Sequence, residues 1–226
     1  MRGLLFQARV PKFAAFFWVA ECQVRLGGLL RGRVNRAGKS FEYILRRMEA
    51  LRRQLRSSRW NLSEARRIAE EIGRDKAGVR ALVRELFGED VEIRKRAADV
   101  VRRITERDGR LLERYADELA GLVETLPVEE SRTRWHLGLV VPRVARTRMQ
   151  RLRAARTMSL LAGDESNVVR CSAVEGLGLL ALQETALRDE AEEMIERYLR
   201  EGTKAMKSRS RAVQRLWARD ERRKKL

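Results

Sequence analysis

The chain is poor in the residues that most soluble chemistry needs: one histidine, two cysteines and three prolines in 226 positions. A lone His136 excludes any reaction that requires two imidazoles from one chain. Cys22 and Cys171 make no disulfide framework and no zinc site by themselves. A reducing compartment suits these cysteines, as many others would; the expected location is cytoplasmic. The apolar run from Phe13 to Ala20 is far shorter than the roughly 20 residues that cross a bilayer, so no transmembrane segment is expected. No phosphate loop, metal-spaced cluster or nucleophile motif is present, and neither an enzymatic activity nor a cofactor or metal is expected. Gly176-Leu177-Gly178 imitates a phosphate loop but lies mid-helix, with no strand before it. Its small residues are better read as letting neighbouring helices approach closely.

What the chain has is helical periodicity that recurs. Ile93, Ala97, Val100, Val101 and Ile104 fall at i, i+4, i+7, i+8 and i+11, one face of an α-helix. Thr133, Leu137, Val140, Val141 and Val144 repeat the grid, and so do Val169, Ala173, Gly176, Leu177 and Leu180. A basic residue follows the first grid position each time, at Arg94, Arg134 and Arg170, with a weaker copy at Lys207; the spacings are 40, 36 and 37. The short turns before these helices contain Gly88, Pro127, Gly163 and Gly202, spaced 39, 36 and 39. A helical period of that length predicts stacked helix pairs. The first helices are expected at 76–87, 109–125, 147–162 and 185–201, with Met149, Leu152, Ala155 and Leu161 on the core stripe of the third. Two helices at 41–56 and 61–72, the second capped by Asn61 or Ser63, form an irregular first unit. The expected fold is all-α, with about ten helices in one domain over residues 41–219.

Charge is the outlier, at net +18, and it is uneven. Residues 1–60 carry 14 basic and 3 acidic side chains, residues 61–202 carry 26 and 27, and residues 203–226 carry 10 and 2. The body is therefore near neutral and the excess sits at the ends. Residues 1–40 have Glu21 as their only acid. They read as a basic extension, either unstructured or not native with Met48 as an alternative start, or as a signal or transit segment. Residues 220–226 read as a basic tail.

The short turns followed by Ile93-Arg94-x-x-Ala97 and Val169-Arg170-x-x-Ala173, then Gly176-Leu177-Gly178, resemble the HEAT repeat family of armadillo-type α-solenoids over about residues 61–219. Two copies depart, with Thr133 and Leu137 in the middle one and Met206-Lys207-x-x-Ser210 in the last. The resemblance implies a right-handed stack of antiparallel helix pairs whose second helices line a concave face. It says nothing specific about function, because the family serves many.

On the middle second helix, Trp135 points almost opposite to the core grid, with Leu139 and Pro142 beside it. His136, Arg132 and Arg143 are close by. An aromatic anchor among arginines is the residue mix of interaction hot spots, so these six residues are the candidate concave binding spot. The other reading packs Trp135 and Leu139 beneath an adjacent repeat. Pro142 should kink its helix, eased by Gly138. Arg94, Arg134, Arg170 and Lys207 form a repeat-edge basic ladder. It serves either as a track for an acidic partner or, the reading favoured here, as bonds to a carboxylate or helix end of the next repeat.

The expected function is a non-catalytic interaction scaffold for a protein partner. An alternative is weak, non-specific binding of nucleic acid or another anionic surface through the basic termini. A HEAT-like DNA-repair glycosylase is a further alternative, disfavoured because this helix places no carboxylate beside Trp135.

Overall fold

The computed structural model describes residues 36–225. The chain divides into two units, residues 1–43 and residues 44–226. The readings made on residues 1–35, including the targeting and start-site alternatives, lie outside the described residues.

Among the described residues ten α-helices follow one another: α1 (Arg36–Leu55), α2 (Leu62–Ile72), α3 (Lys76–Leu86), α4 (Val91–Arg107), α5 (Ala116–Thr125), α6 (Ser131–Val144), α7 (Arg148–Ala162), α8 (Asn167–Ala181), α9 (Arg188–Glu201) and α10 (Lys204–Lys224). There is no strand among the described residues. The expected tail at 220–226 is, as far as Lys224, the last part of α10.

The helix starts have local causes. Asn61, Asp75, Asp90 and Thr203 each accept a hydrogen bond from a first-turn backbone N–H, and Thr147 with Gln150 forms a reciprocal capping box. These bonds satisfy donors that a helix start leaves unpaired.

Helices α2, α4, α6, α8 and α10 pack in succession, and α4, α6, α8 and α10 each pack on the helix before them. Helices α5 and α7 also touch. The predicted grids are the reason: every grid position of α4, α6 and α8 is buried. Met206, Ser210, Val213 and Trp217 carry the same spacing on α10 and are also buried. Helix α1 joins the body by burying Leu51 and Leu55. Arg52 donates from Nε to both carboxylate oxygens of buried Glu85 on α3, at 2.9 Å each.

The second helices come very close together. A Cβ built on Gly138 would stand 2.5 Å from Ser172 Oγ and 2.9 Å from Leu161 Cδ1. One on Gly176 would collide with Met158 and stand 3.0 Å from Pro142 Cγ, and one on Gly178 would collide with Val213. The small residues of α6 and α8 thus set the spacing between α6, α8 and α10. Trp217 fastens α10 by donating its indole N–H to the Gly178 carbonyl at 2.9 Å, with Arg188 stacked 3.6 Å over its ring.

One expected core position differs. Met149 is 75% exposed, and α7 instead buries Ala154, Ala155, Thr157, Met158 and Leu161. Met149 lies on the side of α7 opposite these buried residues, so it faces outward although the same turn reaches Glu184 through Arg148 and Arg151.

Candidate functional site

Helix α6 lies between α4 and α8 and also touches α5 and α7. This crowding determines the fate of the six residues expected at the binding spot. Leu139, His136 and Pro142 are buried. Trp135 is half-buried against the core, Arg143 is half-buried and Arg132 is exposed. The apolar spot is therefore mostly covered by the neighbouring helices, and what reaches the surface is Arg132, an edge of Trp135 and part of Arg143. A helical wheel gives the direction of a side chain but not the proximity of flanking helices, so the sequence leaves two readings of Leu139 open, and the burial found is that of the reading which packs it beneath its neighbours. Pro142 lies inside α6, which continues to Val144.

His136 stacks on Trp135, with ring centroids 4.4 Å apart and planes 28° apart. Its Nδ1 is buried without a hydrogen-bond partner. Burial pushes its pKa down to about 4; Asp99 pulls it up, while Arg102, Arg103 and Arg132 push it further down. The imidazole is therefore neutral near pH 7.

The basic ladder is largely tied down. Arg94 donates to the Gly88 carbonyl at 2.7 Å and pairs with Glu130. Arg134 is buried, with its Nε 2.8 Å from Asp164 and its Nη1 2.8 Å from the Leu126 carbonyl and 3.4 Å from that of Val123. It thus holds the end of α5 and the turn before α8 at once. Arg170 bonds Asn167 at 2.5 Å, and Lys207 bonds the Arg200 carbonyl at the end of α9 at 3.2 Å. Three of the four therefore serve helix ends, which leaves little of them free for a partner.

A belt of charge that the sequence reading did not assemble crosses this face. On α4, Asp99 pairs with Arg102 and Arg103 at 3.2 and 3.1 Å, and Arg102 also pairs with Glu106. Arg143 of α6 lies 4.0 Å from Glu106 and 3.4 Å from Glu175 of α8. Glu175 in turn pairs with Arg209 of α10 at 2.7 Å. Burial lowers the pKa of Arg143, and Glu175 and Glu106 oppose that shift. The signal for the belt was present in sequence, since Asp99 and Glu175 occupy the positions equivalent to Leu139. Only packing shows that their partners come from adjacent helices.

The arrangement offers charge without a reactive centre. No group of carboxylates, histidines and cysteines among the described residues could hold a metal. Cys171 is buried, which raises its pKa and keeps it a thiol. Asp99 supplies the carboxylate that α6 itself lacks near His136, but its oxygens are engaged by two arginines. No family model, curated protein or solved structure matches this chain. The candidate site therefore stands on its own geometry. No helix among the described residues is long and apolar enough to cross a membrane.

Proposed function

We propose that the chain is a HEAT-type α-solenoid that acts as a non-catalytic scaffold, its second helices presenting a concave face to a protein partner. The observation that supports this reading is the half-buried Trp135, flanked by exposed Arg132 and half-buried Arg143 on a charge belt spanning four helices. A large aromatic with arginines around it is the mix that anchors protein interfaces. On this face Lys95, Arg102, Arg103, Arg132, Arg143 and Arg209 outnumber Glu92, Asp99, Glu106 and Glu175, so the partner segment is one rich in carboxylates. Complementary charge of this kind steers encounter and fixes register.

The test is a photo-crosslinking residue placed at Arg132 of the full chain, compared with one at exposed Met149 on α7. A discrete protein adduct from position 132 and none from 149 is expected. Equal labelling from both positions, or none from 132, would overturn the proposal.

A further inference from the structure

The cations of α10 are unlike those of the body. Most arginines of α2, α4, α6 and α7 are in ion pairs. On α10, Lys204, Arg211, Arg215, Arg219 and Arg222 are exposed, and none is ion-paired with another described residue. Together with Ser208 they follow i, i+4, i+7, i+11, i+15 and i+18, a single stripe about 27 Å long at 1.5 Å per residue. The stripe points away from the buried Met206–Ser210–Val213–Trp217 face.

The stripe occupies a particular place in the fold. Gly138 and Pro142 of α6, which approach Ser172 and Gly176 of α8, are matched in register on α10 by Arg211 and Arg215. At these two positions α6 carries Gly138 and Pro142 and α8 carries Val174 and Gly178, where α10 carries two arginines; α4 carries Ala98 and Arg102, and that arginine is paired with Asp99 and Glu106. A terminal face needs polarity to stay soluble, but that requires no single sign of charge. The exposed side of α2 meets the need with a mixed, paired set in which Arg67 bonds Glu64 and Glu71. Five unpaired like charges along one line repel one another; salt screens this in part, and a polyanion laid along the line would relieve it further.

We infer that the α10 stripe binds the phosphate backbone of a nucleic-acid duplex. Four of the five cations are arginine, whose planar guanidinium matches phosphate oxygens. A length of about 27 Å covers roughly eight base pairs at 3.4 Å per pair along one strand. An acidic protein is a poorer fit, because Trp217 is buried and the stripe offers no exposed aromatic anchor. A membrane is a poorer fit because no exposed large hydrophobic residue lies on α10 to insert among lipids. The same lack of aromatics disfavours single strands, which are held by stacking. Contacts of this kind position without reading bases. This inference is independent of the protein-scaffold reading, since it uses a different face and different residues.

The experiment compares the full chain with Arg211→Gln/Arg215→Gln/Arg219→Gln/Arg222→Gln, after circular dichroism has shown matching thermal melts. A 20-base-pair DNA duplex is titrated from low to moderate salt. The variant is expected to bind roughly tenfold or more weakly at low salt, and the slope of log K against log salt should shrink by about 3 to 4, near 0.9 per lost phosphate contact. Arg66→Gln on α2 combined with Arg74→Gln in the turn just after it, both exposed, should leave both quantities unchanged. Equal affinity and slope in wild type and the α10 variant would overturn the inference. So would tighter stripe-dependent binding to phosphatidylserine vesicles or polyglutamate than to the duplex.

Discussion

Arg134 and His136 are two residues apart on α6, and each is governed by what it is buried with. Arg134 is 4% exposed and answers one carboxylate and two carbonyls. Arg134→Met would keep the packing volume and strand Asp164, whose side chain is 1% exposed. Removing one partner of a buried pair typically costs about 3–5 kcal/mol, and we expect that loss in a denaturant melt of the full chain. A cost below about 1 kcal/mol would mean that Asp164 finds water or another donor instead. For His136 the sign is set by burial. Its folded pKa is about 4, below the ordinary 6.5, so between these values the unfolded chain binds a proton that the folded chain does not. Stability should therefore fall as pH drops from about 6.5 toward 4, by up to about 3 kcal/mol from this group. Carboxylates add their own acid losses, so the measure is a comparison. His136→Gln should lose less than wild type between pH 7 and 4.5, and parallel profiles would refute the assignment.

At the scale of the element, glycine inside a helix is a local defect with a packing purpose. Alanine is favoured over glycine in a helix by about 1 kcal/mol. In α5, a Cβ on Gly121 would meet only Arg153 Nη2, at 3.1 Å, the mobile end of a long side chain. Gly121→Ala should therefore stabilise the protein by about 0.5–1 kcal/mol. In α8, a Cβ on Gly178 would press into Val213 of α10, whose Cγ2 is 3.1 Å away and whose Cγ1 is closer still. Val213 is itself 3% exposed and cannot swing out of the way, so Gly178→Ala should destabilise by about 1–3 kcal/mol despite the better propensity. Thermal melts of the two variants should move in opposite directions. If both rise, the helices can separate without penalty and the close approach of α8 and α10 carries no energy.

At the scale of the whole unit, neighbour contacts set the order of stability. Helices α6 and α8 have a second helix on both sides, whereas α2 and α10 each have one. In a stack held by nearest-neighbour interfaces, interior members open least. Hydrogen exchange should therefore be slowest in α6 and α8, faster in α2, and fastest in the last turns of α10 beyond Trp217, the last residue of α10 that is buried. Uniform protection across all of these would show that residues 44–226 open as one cooperative block. Exchange followed in the presence of a DNA duplex adds a check on the stripe, since slowing confined to 204–224 is the expected pattern.

Much of the fold was legible in the chain alone, because the signal is local. A grid such as Ile93–Ala97–Val100–Val101–Ile104 needs only the geometry of one helix to name its buried side, and Asp90 and Thr203 announce their helices by capping chemistry that acts within a few residues. The uneven distribution of charge was equally legible, since it is a matter of counting. What packing alone decided is everything that depends on a neighbouring helix. Leu139 points away from the grid of α6 and His136 lies at its flank, yet both are buried, because α4 and α8 flank that helix on both sides. Arg134 finds Asp164 across 30 residues, and Arg143 finds Glu175 across 32. Arg211 and Arg215 find no such partner among the described residues. Each is an arginine in a sequence rich in arginine, and one-dimensional order does not say which has a carboxylate within reach. The Coulomb energy that separates a structural cation from an available one falls with distance and rises with burial, and both quantities exist only once the helices are packed.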